Sequence, residues 1–294
     1  MPDADKSSNE NKKDYAVDVP METPGFFMKG SAHLSWGMKN RLSRIFNPES
    51  GRTVMLAFDH GYIMGPTTGL ERLDLVVPPL IPHVDCLMCT RGALRTCIDP
   101  TVEKPVVMRC STGATLLKDL SNEVIGVTIE EAVNLNAAAV TAQACIGADY
   151  EKETLENLSY LINEGARYGM PVLGVTAVGK EMVRDSRYLG LACRVIAELG
   201  VNFVKTYYCE PGFEEVVAGT PVPVVIAGGK KLPEADALAM AYKAIDQGAM
   251  GVDMGRNIFA ADDPVAMAQA VGAGIHKNAK PEQAFELYND LKKK

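Results

Sequence analysis

The chain has 294 residues, of which 47% are hydrophobic and 23% are charged, and its formal net charge at pH 7 is -7. This length is enough for one α/β barrel of about 250 residues with a large buried core. The negative charge and the lack of a long Lys/Arg block argue against nucleic acid as the main partner, because binding to a phosphate backbone needs clustered positive charge. No run approaches the roughly 20 apolar residues that span a bilayer, so we expect no membrane partner.

The first twenty residues are polar and charged, and they lack the apolar segment of a signal peptide. We expect residues 1–24 to form a disordered or loosely packed arm and residues 25–294 to form one domain. Seven cysteines are an odd number in a chain of this size, which favours reduced thiols and a cytoplasmic location. Cys86 and Cys89 form a CxxC pair, but this spacing on a strand points the side chains to opposite faces, so we interpret both as buried structural residues.

Short apolar runs alternate with helical patterns along the chain. The runs are nearly continuous rather than alternating, which is typical of parallel strands that are buried on both faces. Eight such runs follow one another as βα units, and this repetition favours a closed (β/α)8 TIM barrel over a doubly wound open sheet. The predicted strands begin at Thr53, Asp85, Pro105, Ala138, Pro171, Val201, Pro223 and Gly251.

The segments between and around these strands have apolar residues at helical spacing. Two of the predicted helices end near a glycine, and two begin with a proline in the first turn. Residues 25–46 are expected to cover the N-terminal end of the barrel or to contact a neighbouring subunit, and residues 281–294 to form a surface helix. The four predicted helices span residues 151–168, 181–199, 233–247 and 264–276.

The sixth predicted strand carries a lysine inside its apolar run. In a TIM barrel the active site lies at the C-terminal ends of the strands, so polar residues near those ends are candidates for chemistry. The strand reads VNFVKTYY, and Lys205 interrupts it. A buried ammonium group is costly unless it is paired or deprotonated, and a deprotonated amine is a nucleophile toward carbonyl carbon. The alternatives are a lysine that reaches the surface or one in a structural ion pair with a neighbouring strand.

The first predicted strand ends in TVMLAFDHG, which brings Asp59 and His60 to the same end of the barrel. A carboxylate there can orient a substrate hydroxyl, transfer a proton or pair with the charge of Lys205. The structural alternatives are a turn or helix N-cap for Asp59 and a partly buried loop residue for His60. Arg91 and Arg109 also follow predicted strands, and their role stays open between binding an anion and pairing with acids.

The last two predicted strands end in glycine-rich turns, each followed by a cation. These are Gly228, Gly229 and Lys230 after the seventh strand and Gly255 and Arg256 after the eighth. Glycine lets backbone N–H groups approach an anion closely, and phosphate sites after strands seven and eight recur in this fold. We therefore predict a site for a small phosphorylated substrate. No set of His, Asp and Glu residues predicts a metal site.

Four motifs, AFDHG, VKTYY, VIAGGKK and GVDMGRNIF, occur in this order on the first, sixth, seventh and eighth predicted strands. Together they resemble the archaeal-type class I aldolase family, and the resemblance covers nearly everything from Phe26 onward. It implies that Lys205 forms a Schiff base, that Asp59 assists it, and that the two glycine turns with their cations bind the substrate phosphate. It also implies a homo-oligomer, commonly a decamer.

One strand departs from the pattern of that family. Its fructose-bisphosphate aldolases carry aromatic residues at the end of the fifth strand, including a tyrosine that donates a proton, whereas Gly174 and Thr176 stand at those positions here. The segments WGMKNRLSRIFNPESGRTVMLAFDHGY, GPTTGLER and PVPVVIAGGKKLPE are similar to a specialised branch, the CoA-dependent thiolases of autoinducer-2 degradation. That resemblance implies acetyl transfer from a phosphorylated five-carbon dione to coenzyme A (CoA), which is a co-substrate, with dihydroxyacetone phosphate as the other product and no permanently bound cofactor.

Two other functions are open at this point. An aldolase that cleaves a phosphorylated sugar such as fructose 1,6-bisphosphate with the same lysine would not need CoA. A non-catalytic protein that binds sugar phosphates would bind its ligand without forming a reducible imine. Asp59 and His60 are both candidates for deprotonating the thiol, and the sequence does not decide whether Lys205 attacks C4 or C2 of the dione.

Overall fold

The computed structural model describes residues 16–20, 25–113, 115–178 and 183–293, so most of the predicted arm, residues 1–15 and 21–24, lies outside the described residues. The strands alternate with helices, as the apolar runs predict. In chain order they are β1 (Thr53–Ala57), β2 (Cys86–Cys89), β3 (Val106–Arg109), β4 (Ser111–Gly113), β5 (Glu123–Ile125), β6 (Ala139–Ile146), β7 (Val172–Val178), β8 (Phe203–Tyr207), β9 (Val224–Ala227) and β10 (Gly251–Met254).

Eight of these strands close into a parallel barrel in the order β1-β10-β9-β8-β7-β6-β3-β2. The predicted (β/α)8 TIM barrel is therefore confirmed, and each of the eight predicted strands contributes one barrel strand. Alternate side chains of a barrel strand point inward and outward. On β8, for example, Phe203 packs in the inner cluster with Met55, whereas Val204 packs in the outer cluster between the strands and the helices.

A small antiparallel sheet of β4 and β5 was not predicted. The apolar run from Pro105 was expected as one strand through residue 113, but the barrel strand ends at Arg109 and the chain then pairs with β5. At Gly113 a Cβ atom would lie 2.2 Å from the carbonyl oxygen of Asn122, so only glycine allows the two strands to come this close. The β4–β5 hairpin lies beyond the C-terminal end of β3.

The helices largely follow the predicted ranges. The helix expected over residues 181–199 begins at Ser186; residues 183–185 are not helical and 181–182 lie outside the described residues. Pro233 precedes its helix as the N-cap residue, whereas Pro264 is the first residue of its helix as predicted. The helices are α1 (Trp36–Ile45), α2 (Gly61–Met64), α3 (Leu73–Val76), α4 (Arg91–Cys97), α5 (Ile129–Asn134), α6 (Glu151–Tyr168), α7 (Ser186–Leu199), α8 (Phe213–Gly219), α9 (Glu234–Asp246), α10 (Arg256–Phe259), α11 (Pro264–Lys277) and α12 (Pro281–Lys292), with a 3-10 helix at Pro78–His83.

Helix α1 closes the N-terminal end of the barrel. Leu42, Ile45 and Phe46 are fully buried in the inner cluster, and the ring of Phe46 packs edge-on against Phe203 at a centroid distance of 5.4 Å. Each large side chain buried in this way contributes roughly 1.5 to 3 kcal/mol of transfer free energy. The expectation that residues 25–46 cover this end is confirmed, and the inside of the barrel is reached from the opposite end. Among the described helices, none is long and apolar enough to cross a membrane.

Candidate active site

A cavity of about 770 Å³ opens at the C-terminal ends of the barrel strands. Its walls come from the barrel strands, from α2 and from the loop before β5. Lys230 lies beyond its glycine turn, is exposed and does not line the cavity, so its contact with phosphate stays a prediction. The other seven predicted site residues line it: Asp59, His60, Lys205, Gly228, Gly229, Gly255 and Arg256.

Lys205 points into this cavity from β8. It is only 9% exposed, so the alternative of a lysine that extends to the protein surface is wrong. Its Nζ atom lies 2.9 Å from Asp253 Oδ2 and 3.6 Å from Met88 Sδ. The ion pair joins β8 to β10, which are separated in the barrel by β9. The amine is thus both paired and accessible to a ligand in the cavity.

Asp253 is a site residue that was not predicted. It lies on β10, one inward position before Gly255, and its side chain is completely buried. Burial raises the pKa of Asp253, and the positive charge of Lys205 offsets only part of that effect. Both of its carboxylate oxygens are buried without a hydrogen-bond partner among the described residues, although Oδ2 lies in the ion pair with Lys205. The signal in the sequence is the same as for Lys205, a charged residue inside the apolar run GVDMG.

Asp59 is held by a buried arginine. The Nε–H of Arg109 donates to Asp59 Oδ2 at 2.9 Å, and both side chains are 7% exposed. Burial alone would raise the pKa of Asp59, but the charges of Arg109 and Lys205 outweigh it and hold the pKa below its usual value. Arg109 therefore belongs to the site, whereas Arg91 pairs with Glu131 at 2.7 Å on the outside of the barrel.

Tyr62 and Glu123 extend this buried network. The hydroxyl of Tyr62 donates to Glu123 Oε1 at 2.8 Å, and the guanidinium carbon of Arg109 lies 5.0 Å from the centre of the Tyr62 ring. Burial and the nearby Glu123 carboxylate raise the pKa of Tyr62, so the phenol stays protonated. Glu123 belongs to the unpredicted β5 hairpin, and Tyr62 follows the DHG motif directly, which is the only sequence signal for this pair.

His60 lines the cavity next to the phosphate turns. Burial lowers the pKa of His60, so its imidazole is neutral at pH 7. Its ring meets Phe259 edge-on at 5.6 Å, and its buried Nδ1 atom has no partner within the part of the chain that the structure describes. A Cβ atom at Gly255 would lie 2.4 Å from the carbonyl oxygen of Ala57 and 2.6 Å from His60 Cε1. Glycine at 255 therefore lets the turns after β1 and β10 touch.

The two glycine turns form one corner of the cavity. The side chain of Asn257 joins them, because its Nδ2 atom donates to Gly228 O at 2.6 Å and its Oδ1 atom accepts from Leu232 N at 2.8 Å. Gly229 has φ +67, a conformation that favours glycine. The Nε atom of Arg256 is buried without a hydrogen-bond partner among the described residues. A cation with an unused N–H group beside two glycines suits a phosphate.

The fifth barrel strand, β7, lines the cavity with Val175, Thr176 and Ala177. Gly174 faces outward, where a Cβ atom would lie 2.9 Å from Ile196 Cδ1, and the Thr176 hydroxyl bonds to Thr206 at 2.8 Å. The side chains that point inward are Val175 and Ala177. At the positions where the aldolases carry aromatic residues, Gly174 and Thr176 present no ring, and this strand offers no phenol to the cavity.

The cysteines near the site are inert as nucleophiles. Cys145 lines the cavity, and burial raises the pKa of its thiol to about 12, so the thiolate is not populated at neutral pH. Cys86 and Cys89 are both buried, one in the inner and one in the outer cluster, as their spacing predicts. Among the described residues, no group of His, Cys, Asp and Glu side chains is arranged to hold a metal ion.

Comparisons with known proteins agree with this geometry. Residues 53–261 match the model of the "DeoC/LacD family aldolase". The chain is 55% identical over 285 residues to the 3-hydroxy-5-phosphonooxypentane-2,4-dione thiolases of Yersinia pseudotuberculosis (strain IP 31758) and of Photorhabdus laumondii, with 97% of this chain and 98% of each relative covered.

A solved structure is also similar. It is an archaeal fructose-1,6-bisphosphate aldolase with its catalytic lysine covalently bound to the carbinolamine intermediate of the substrate, and it superimposes with a TM-score of 0.73 at 26% identity. The match covers 81% of this chain and 99% of that one. With a family match over most of its length and relatives at 55% identity, this chain belongs to the DeoC/LacD aldolase family.

Proposed function

We propose that this protein transfers an acetyl group from 3-hydroxy-5-phosphonooxypentane-2,4-dione to CoA and releases dihydroxyacetone phosphate. The observation that carries the proposal is the buried amine of Lys205, which opens into a cavity that the two glycine turns and Arg256 also line. The relatives that are 55% identical over nearly the whole chain carry the name of this thiolase activity. The ketone of this substrate suits the amine of Lys205, and its phosphate suits the glycine turns with Arg256.

The reaction proceeds through an imine on Lys205. The amine attacks the C4 ketone, and loss of water gives an iminium ion that accepts electrons from the neighbouring C3. The thiolate of CoA adds to C2, and collapse of this adduct breaks the C2–C3 bond and releases acetyl-CoA. The electron pair of that bond passes to C3 and forms an enamine. Protonation of C3 and hydrolysis of the imine release dihydroxyacetone phosphate and restore the amine.

The protons of this reaction balance without an external acid, since the thiol loses one proton and C3 gains one. His60 is neutral, so its imidazole can accept the thiol proton and return it to C3. Asp59 stays ionised in its pair with Arg109, and we assign to it the orientation of the substrate hydroxyl on C3. The phosphate binds at Gly228, Gly229, Lys230, Gly255 and Arg256.

Autoinducer-2 degradation, a cytoplasmic location and a homo-oligomer, commonly a decamer, are further parts of the proposal. They rest on the family resemblance and on the activity in the relatives' name. Cleavage of fructose 1,6-bisphosphate is less favoured, because the archaeal aldolase is 26% identical and the inward side chains of β7, Val175 and Ala177, cannot donate a proton.

The experiment is to incubate the protein with the phosphorylated dione, with and without CoA, and to quantify acetyl-CoA and dihydroxyacetone phosphate together. Equal amounts of both, formed only with CoA and lost in Lys205→Ala, are expected. Lys243→Ala is the matched control, because Lys243 is an exposed lysine paired with Glu210 at 2.9 Å. Cleavage of fructose 1,6-bisphosphate without any need for CoA would overturn the proposal in favour of an aldolase.

A further inference from the structure

The charge of Lys205 lowers the pKa of two buried carboxyl groups, those of Asp59 and Asp253. The two groups differ in their other contacts. The family resemblance assigns assistance of the lysine to Asp59. In the structure, however, Asp59 Oδ2 is taken by the Nε–H of Arg109 at 2.9 Å. A carboxylate locked to an arginine is a poor proton carrier, because protonating it would leave the buried guanidinium without its counter-charge.

Asp253 has the opposite arrangement. Its Oδ2 atom forms an ion pair at 2.9 Å with Lys205 Nζ, the atom that forms the imine, and neither of its two buried oxygens has a hydrogen-bond partner among the described residues. It also lines the cavity, so a ligand bound to Lys205 lies beside it. In a carbinolamine the hydroxyl oxygen and the nitrogen are attached to the same carbon atom. One carboxylate can therefore contact both of them, with Oδ2 on the nitrogen and Oδ1 on the oxygen.

We propose that Asp253 is the catalytic residue that carries protons between Lys205 and the substrate oxygen while the imine forms and hydrolyses. This inference rests on the proposed function, since it requires the imine at Lys205. It gives Asp253 the role that the resemblance implies for Asp59. It also accounts for an acid buried without a full set of hydrogen bonds in the last barrel strand, which would otherwise be a cost to folding.

The Lys205 ammonium passes one proton to Asp253, and the neutral amine adds to the ketone carbon while the carbonyl electron pair moves to oxygen. Asp253 protonates this oxygen, removes a second proton from the nitrogen, and delivers it to the hydroxyl group, which leaves as water. The iminium ion remains with one hydrogen on nitrogen, and Asp253 is again a carboxylate facing a cation. Hydrolysis after acetyl transfer runs the same sequence in reverse.

The test measures imine formation alone, without CoA. The protein is mixed with dihydroxyacetone phosphate, whose ketone carbon corresponds to C4 of the dione, together with cyanoborohydride, and the reduced adduct is followed by intact-protein mass spectrometry. We expect Asp253→Asn to form the adduct about 10²- to 10⁴-fold more slowly than the wild type, the range for general acid–base catalysis. Thermal unfolding of both proteins shows whether the variant is folded at the assay temperature.

A second variant separates proton transfer from a structural role. Asp253→Ala leaves a space the size of a formate ion beside Lys205, so formate should restore adduct formation at least in part, whereas chloride at the same concentration should not. Slow adduct formation that formate does not restore would mean that Asp253 only holds the lysine in place, and would overturn the proton-transfer role.

The remaining outcomes distinguish the two proposals. If the wild type forms no adduct, the imine of the proposed function fails, and the role of Asp253 fails with it. If the wild type forms the adduct and Asp253→Asn forms it equally fast, the proposed function stands and the role of Asp253 alone is overturned.

Discussion

The two ends of the barrel differ in how their charged groups are paired. At the N-terminal end, His276 joins Ser50 and Asp85, with 2.8 Å from Nδ1 to the serine hydroxyl and 2.8 Å from Nε2 to Asp85 Oδ2. The same aspartate oxygen accepts the N–H of Val54 at 2.6 Å, which fixes the start of β1. Each member of this chain has a partner. At this end the interior of the barrel is filled by the apolar inner cluster, which α1 covers.

At the C-terminal end, charged groups are buried more deeply and are less completely paired. Asp253 Oδ1, His60 Nδ1 and Arg256 Nε are buried without hydrogen-bond partners among the described residues. Burying such groups costs free energy unless a ligand completes their bonds. The charged groups of the closed end thus satisfy one another, whereas several of those at the open end are arranged to meet a substrate. Changes at the two ends should therefore have separable effects.

The largest effect on stability is expected at the buried pair of the open end. Asp59→Asn leaves the Arg109 guanidinium buried without its counter-charge, and we expect the free energy of unfolding at pH 7 to fall by about 3 kcal/mol. Asp74→Asn removes an exposed carboxylate that pairs with Arg72, and should leave stability unchanged. Urea unfolding of the three proteins measures the difference.

The pH dependence of this difference follows from the sign of the shift. The pKa of Asp59 is lower in the folded than in the unfolded protein, so its stabilising contribution is present above the unfolded value of about 4 and is lost as pH falls through the folded value. The difference in free energy of unfolding between the wild type and Asp59→Asn should become smaller as pH falls below about 4. If this difference in free energy stays constant down to pH 3, Asp59 is not an ionised partner of Arg109 in the folded protein.

The next effect concerns the phosphate corner. A Cβ atom at position 255 would displace the chain at Ala57 or the ring of His60, so Gly255→Ala should lower kcat/KM for the phosphorylated dione on the order of 100-fold, the loss expected from a shift of about 1 Å. Steady-state kinetics with CoA in excess measures this loss.

Gly272→Ala is the matched control, because a Cβ atom there meets nothing within 4 Å on α11. It should keep full activity and gain up to about 1 kcal/mol of stability, since alanine favours the helix. An equal loss of activity in both variants would show that the Gly255 effect is not local to the phosphate corner.

The smallest effect is expected at the closed end. His276→Ala removes both hydrogen bonds of the ring, and the free energy of unfolding should fall by about 1 to 2 kcal/mol, because Ser50 and Asp85 regain water only in part. The kcat/KM value should not change at temperatures where the variant is folded, since none of these residues lines the cavity. Thermal unfolding and kinetics on one sample check both. Lost activity in fully folded protein would show that the two ends are coupled.

Most of the fold could be predicted because the eight barrel strands are buried on both faces and therefore read as apolar runs. The β4–β5 hairpin could not, since its strands are three residues each and its pairing depends on a close backbone approach at Gly113. The start of α7 at Ser186 depends on the cap of Asp185, whose side chain accepts from Tyr188 N at 2.8 Å. A helix start that is set by one capping hydrogen bond cannot be read from the spacing of apolar residues.

The site could be predicted where a residue stands at the end of a strand, as with Asp59, Lys205 and the two glycine turns. The partners of these residues could not, because Arg109 pairs with a residue 50 positions away, and Asp253 reaches Lys205 across an intervening strand. Sequence spacing gives the inward direction of each side chain, but which inward groups meet depends on how the barrel closes.

The central claim, an imine on Lys205, is tested most directly by locating it. The protein is reduced with borohydride in the presence of the phosphorylated dione without CoA, then digested, and the modified peptide is sequenced by tandem mass spectrometry. We expect a phosphorylated five-carbon adduct on Lys205, which is replaced by the three-carbon adduct of dihydroxyacetone phosphate when CoA is present. Acetyl-CoA formation without any adduct, or with the adduct on another lysine, would contradict it.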